Sequence, residues 1–242
     1  MPKPTIVLVH GAWADGSSWD AVASELQSQG FTVFTPPNLL RRAAVDSPYI
    51  ASFIAQRTSG PVVLVGHSYG GFVISNAETD GTDVKALVYV DAFIPDEGET
   101  VFQILGGSGS ALDVPDPTTV LDLVGYPDGP EGDAEAFLKP DTVHNSFAQD
   151  LSEKDRSLIV ARQRPITLSA NTTPSGVGAW KKLPSWAVVG TEDRVIPPDT
   201  LRSMAKRAGA TVTEVAASHV SMVSHPQVAI DAILAAVAAV GD

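Results

Sequence analysis

The pentapeptide Gly66-His67-Ser68-Tyr69-Gly70 holds a serine between two glycines at the spacing G-x-S-x-G, directly after the apolar run at 62–65. A strand that ends in such a turn and restarts as a helix lifts the hydroxyl clear of the sheet, beside the positive end of the helix. The turn is strained and crowded, so a Cβ at Gly66 or Gly70 would collide across it. Serine at its own pKa is a weak nucleophile and needs a base. Five histidines are available. His67 adjoins the serine and points away from it, His10 ends the first apolar run, and His144 lies in an irregular central stretch. His225 precedes Pro226 and starts a helix. His219 follows the last apolar run, and strand ends in a parallel sheet open on one crevice, so His219 is the expected base.

That base needs an acid to fix its tautomer. Asp193, in Gly190-Thr191-Glu192-Asp193 after the fifth run, is the expected one, with Glu192 in solvent; Asp91, ending the fourth run, is the alternative. The chain order Ser…Asp…His suits a nucleophile on this kind of turn. Two backbone donors would hold an oxyanion: the N–H of Tyr69, just after the serine, and the N–H of Ala12, in the turn His10-Gly11-Ala12-Trp13. Together these groups suit acyl transfer.

Such residues need a frame that brings them together. Apolar runs at 5–9, 31–35, 62–65, 84–90, 186–189 and 211–215 alternate with helical patterns, which predicts an α/β fold with six parallel strands and helices on both faces. Trp19, Val22 and Leu26 recur at helical spacing after Ser17 and Ser18, which can cap the helix, and Gly30 suits its left-handed end. Leu201, Met204, Ala205 and Ala208 form another stripe, and Pro226 suits the first turn of the last helix. Between 93 and 183 the rhythm fails: glycines and prolines are dense, and helical patterns are short, at 99–105 and 152–162. We expect a core of residues 1–92 and 184–242, with 93–183 an insertion over one end of the sheet. Trp13, Phe102, Phe137, Phe147 and Trp180 are candidates to line an apolar pocket beneath it.

Composition narrows the partners. The 242 residues carry 16 Lys and Arg against 28 Asp and Glu, a net charge of −12, which disfavours nucleic acid and anionic membranes. No cysteine is present, which removes thiolate metal sites and Cys nucleophiles. No His pair or carboxylate cluster has metal-ligand spacing, and Gly106 to Gly109 lacks the lysine of a phosphate loop, so neither metal nor cofactor is expected. Met1 and Pro2 lead almost directly into the first strand with no secretory pattern, and 228–240 is too short to span a bilayer. These features predict a cytoplasmic protein acting on a small molecule.

His10-Gly11-Ala12-Trp13, the G-x-S-x-G segment with Gly71, Gly190-Thr191-Glu192-Asp193 with Pro197, and Ser218-His219 resemble the α/β-hydrolase fold superfamily, in the esterase-like branch that includes plant methylesterases and hydroxynitrile lyases. The resemblance spans nearly the whole chain. It implies a serine esterase working through an acyl-enzyme, with 93–183 a helical cap insertion shaping the pocket; we expect the family's first two strands to be absent here. It also leaves two alternatives. Hydroxynitrile lyases usually carry Thr where this chain has Gly11 and Lys where it has Val220, and some plant relatives are slow-turnover receptors that keep the triad.

Overall fold

The computed structural model describes residues 3–77, 79 and 81–240; Met1 and Pro2, part of the segment read for a secretory signal, lie outside the described residues. Among the described residues nine strands form, in chain order: β1 Thr5–Val9, β2 Val33–Phe34, β3 Val62–His67, β4 Val84–Val90, β5 Leu121–Val124, β6 Glu135–Leu138, β7 Ile166–Thr167, β8 Ser185–Gly190 and β9 Thr211–Val215. Six of them make one sheet in the order β2-β1-β3-β4-β8-β9, with every pair parallel. β1 and β3 are buried along their whole length, which explains their unbroken Val, Ile and Leu content. The register sets Val9 beside Gly66, His67 beside Val90, and Gly190 beside Val215. One rim of the sheet thereby collects the loops that carry Ala12, Ser68, Asp91, Asp193 and His219.

Helices Asp20–Ser28 and Pro226–Val240 pack together on one face, and Ala43–Arg57 and Tyr69–Ser75 pack together on the other. The stripes read from sequence face inward: Val22 and Leu26 in one helix, and Leu201, Met204 and Ala205 in Pro198–Arg207. Pro226 opens the last helix, which buries Ala229, Ile230, Ala232, Ile233 and Ala236. No helix among the described residues is long and apolar enough to cross a membrane.

Three local readings are corrected. β2 is only two residues long, because Pro36 and Pro37 follow it and lack the N–H a ladder needs. The first helical turn is capped by the Asp15 side chain accepting from the Ser17 N–H (2.8 Å), not by Ser17 or Ser18. The 93–183 stretch is not purely helical: β5, β6 and β7 form an antiparallel sheet within it. Its helices are short. Val101–Leu105 starts with a capping box between Thr100 and Gln103, and Ser152 caps Glu153–Arg162.

Candidate active site

Ser68 sits between β3 and the helix Tyr69–Ser75 with φ 52° and ψ −123°, a region costing a non-glycine residue about 1–3 kcal/mol. Surrounding contacts impose it. The Ser68 N–H donates to the Val90 carbonyl (3.3 Å), and the Ser68 carbonyl accepts from Gly71 (2.9 Å) and Phe93 (3.2 Å). A Cβ on Gly66 would lie 2.6 Å from the Gly70 carbonyl oxygen, and one on Gly70 would strike the Val9 carbonyl. Both glycines of the motif are therefore required by close backbone approach.

His219 lies on the loop after β9, fully buried, with Nε2 2.8 Å from Ser68 Oγ. Asp150 anchors that loop by accepting from the Ser218 N–H (3.0 Å). His67 Nε2 donates to the His219 carbonyl (2.8 Å), leaving a bare Nδ1 that is buried without a partner. Burial holds His67 well below the ordinary imidazole range, and the neighbouring His219 adds to this. His10 Nε2 accepts from the Asn38 N–H (3.0 Å) and its Nδ1 donates to the Gly11 carbonyl (2.9 Å). His10 and His67 thus brace turns. His144 and His225 make no contact with Ser68: the His144 carbonyl accepts from Arg156, and His225 Nδ1 meets Ser224 Oγ.

Asp193 reaches the other ring nitrogen, with Oδ2 2.7 Å from His219 Nδ1. Its Oδ1 accepts from Val195 (2.8 Å) and Ile196 (2.9 Å). A carboxylate facing Nδ1 keeps the proton there and leaves Nε2 free to take one from Ser68. Burial lowers His219 from 6.5 to about 3, and raises Asp193 against the pull of its two backbone donors. Asp91 does something else. Its Oδ1 accepts from Gly190 N–H (2.7 Å) and its Oδ2 from Ser221 N–H (3.1 Å), so one carboxylate ties the start of the Asp193 loop to the end of the His219 loop. Burial, then the neighbouring Asp193, push its pKa well up.

Ala12 and Tyr69 wall the same space as Ser68. Tyr69 is the first residue of its helix, so its N–H is among those with no intrahelical acceptor. The Tyr69 hydroxyl donates to Asp46 Oδ2 (2.9 Å), and Asp46 also accepts from the Arg41 and Arg42 amides. Burial still raises Asp46 to about 6. A Cβ on Gly11 would stand 2.6 Å from Ser68 Cβ, so the 11–13 turn presses directly on Ser68.

Above Ser68 opens a cavity of about 770 Å³ whose apolar walls include Phe93, Leu105, Leu121, Ala136, Ile166 and Leu168. Of the expected pocket residues, Trp13 and Phe102 line it. Phe147 lines a smaller cavity of about 200 Å³ instead, and sets its ring edge against His219 with centroids 5.3 Å apart. Phe137 and Trp180 line neither cavity: Phe137 is half-buried on β6, and Trp180 Nε1 donates to the Pro95 carbonyl (2.9 Å). Sequence reasoning missed Leu121, Ala136 and Ile166. Leu121 and Ala136 lie on the strands that flank the Pro127-Asp128-Gly129-Pro130 turn, whose turn residues are the sequence signal of that pair; Ile166, on the two-residue β7, carries none. Among the described residues no group of three His, Cys, Asp or Glu side chains is placed to hold a metal ion.

Residues 6–232 match the model of the alpha/beta hydrolase family. The chain belongs to that family. Among curated relatives, the carbendazim hydrolyzing esterase of Nocardioides sp. is 34% identical over 111 residues, covering 41% of this chain and under half (46%) of that protein. The pyrethroid hydrolase of Sphingobium wenxiniae is 28% identical, covering 96% of this chain and 87% of that protein. The fold of polyneuridine aldehyde esterase superposes with a TM-score of 0.81 at 21% identity, covering 96% of this chain and 98% of the other. Family membership accounts for the parallel sheet and for the serine turn at its rim.

Proposed function

We propose that this alpha/beta hydrolase is a carboxylic ester hydrolase for small apolar molecules, with Ser68 as nucleophile, His219 as base and Asp193 as its acid. One observation carries the reading: Asp193, His219 and Ser68 form a continuous buried hydrogen-bonded chain that ends on the apolar cavity. Ser68 Oγ attacks the ester carbonyl carbon while His219 Nε2 takes its proton. The carbonyl oxygen becomes an oxyanion held by the Ala12 and Tyr69 amides. When the tetrahedral intermediate collapses, the carbon–oxygen bond to the alcohol breaks and His219 returns the proton to the leaving oxygen. Water, deprotonated by His219, then attacks the acyl-enzyme, and Ser68 leaves with that proton.

The setting suits these steps. Burial disfavours the imidazolium, so His219 starts neutral and ready to accept, while Asp193 steadies the charge once the proton arrives. A cavity of this volume is within the range that encloses a small organic ligand. Relatives named as esterases and as a pyrethroid hydrolase support the same substrate class. A lyase that expels cyanide would need a cation beside the base, and buried Val220 follows His219 instead.

The test is stopped-flow release of p-nitrophenol from p-nitrophenyl acetate. An acyl-enzyme route predicts a burst of up to one equivalent whenever deacylation is slower, and Ser68→Ala should lose both burst and steady turnover. Wild-type rates in folded Ser68→Ala would end the proposal.

A further inference from the structure

The two cavities meet at one side chain. The larger opens on Ser68, and the smaller lies among Phe147, Leu151, Leu158, Ile159 and Val220; of the residues lining either, Trp13 alone lines both. Its indole is held as a fixed partition. The Trp13 N–H donates to the Arg164 carbonyl (2.9 Å) and Nε1 donates to the Ala136 carbonyl on β6 (2.8 Å). The ring meets Phe147 edge-on at 6.0 Å and 84°. Trp13 also adopts φ +57°, a conformation a bulky residue keeps only where its surroundings impose it.

Position gives this partition a consequence. Trp13 follows Ala12 in the turn that presses on Ser68, and it lines the same cavity as Ser68. Behind it, Phe147 touches His219, and Val220 follows His219 in the chain. The space behind the indole exposes mostly apolar wall, although Asp15, Asp155 and Arg162 also line it, and at about 200 Å³ it exceeds the roughly 150 Å³ that admits benzene.

We propose that Trp13 is a specificity-determining wall, limiting the acyl group accepted at Ser68, and that the cavity behind it is a latent subsite for an apolar acyl tail. This rests on the esterase reading above and adds which residue sets the substrate's size. With the indole removed, the two cavities join, and a longer acyl chain gains a place to lie.

The experiment compares kcat/KM for p-nitrophenyl acetate and p-nitrophenyl decanoate. In Trp13→Ala the decanoate-to-acetate ratio should rise at least tenfold, chiefly through KM for decanoate. Refilling the cavity from another of its lining residues, in Trp13→Ala with Leu158→Trp, should return the ratio to the wild-type value. Leu158→Trp alone should leave it unchanged, because the intact wall keeps substrate out; a change there would overturn the proposal even if Trp13→Ala failed to fold. An unchanged ratio in folded Trp13→Ala, or loss of both esters together, would also overturn it, the latter making Trp13 a brace of the Ala12 turn. Wild type inactive on both esters would instead remove the esterase reading itself.

Discussion

Replacing Asp193 by Asn separates its role from that of Asp91 more sharply than any deletion. The two backbone donors on Oδ1, Val195 and Ile196 at 2.8 and 2.9 Å, demand an acceptor there. An asparagine must therefore give them its carbonyl oxygen and turn its NH₂ toward His219 Nδ1. Nδ1 then becomes the acceptor, the ring proton moves to Nε2, and Nε2 faces Ser68 Oγ as a donor that can take no proton. Loss of the correct tautomer in a triad costs about 10⁴-fold in kcat, equivalent to about 5.4 kcal/mol of barrier. Asp91→Asn has a different outcome. Both Asp91 oxygens accept N–H groups, so any orientation sets an NH₂ against one of them, and that buried mismatch costs about 1–3 kcal/mol of stability. Steady-state assay of a p-nitrophenyl ester with both variants, beside urea unfolding of each, reads the two effects. Asp193→Asn should lose turnover with modest change in unfolding midpoint; Asp91→Asn should show the larger midpoint shift and the smaller kcat loss. The reverse pattern would refute the assignment of the acid.

Further expectations concern pH, packing and the turns. Because burial lowers His219 to about 3 and the proposed mechanism needs it neutral, kcat/KM for an uncharged ester should hold level as pH falls through 6.5, with its acid limb below; a half-loss at or above 6.5 contradicts this. Tyr69→Phe removes a donor from Asp46 and should cost about 1–3 kcal/mol by denaturant titration. Since Asp46 is raised to about 6, that penalty is present in full above this value and shrinks as pH falls and the carboxyl protonates. Gly11→Ala should displace Ser68, and a shift of this kind can cost about 10²-fold in kcat; retained turnover would mean that the turn gives way freely. Trp19→Ala, at a fully buried site packed on His67, should destabilise by about 3–5 kcal/mol, visible as a lowered thermal midpoint.

Much of this was legible because local chemistry dictates it. The strained turn at Ser68 admits only small neighbours, so Gly66 and Gly70 write it into the sequence. The buried strands β1, β3 and β4 announce themselves by apolar runs, broken in β4 only by exposed Lys85, and parallel order brings their ends to one rim. Legibility fails where the deciding partner is far away in the chain. Nothing near Asp91 reveals that it ties Gly190 to Ser221, and nothing near Asp46 reveals the Tyr69 hydroxyl. The cap strands are two to four residues long, too short for a period to emerge. Aromatic content misled there for a simple reason. Successive strand residues face opposite ways, so on β6 small Ala136 lines the cavity while Phe137 faces away from it.

The most direct measurement is covalent labelling of the resting protein with a p-nitrophenyl alkylphosphonate, followed by peptide mapping. We expect one adduct per chain, on Ser68, with ester hydrolysis lost in step with labelling and no adduct in Ser68→Ala. Full ester hydrolysis by protein that stays unlabelled, or a stoichiometric adduct on another residue that alone abolishes turnover, would contradict it.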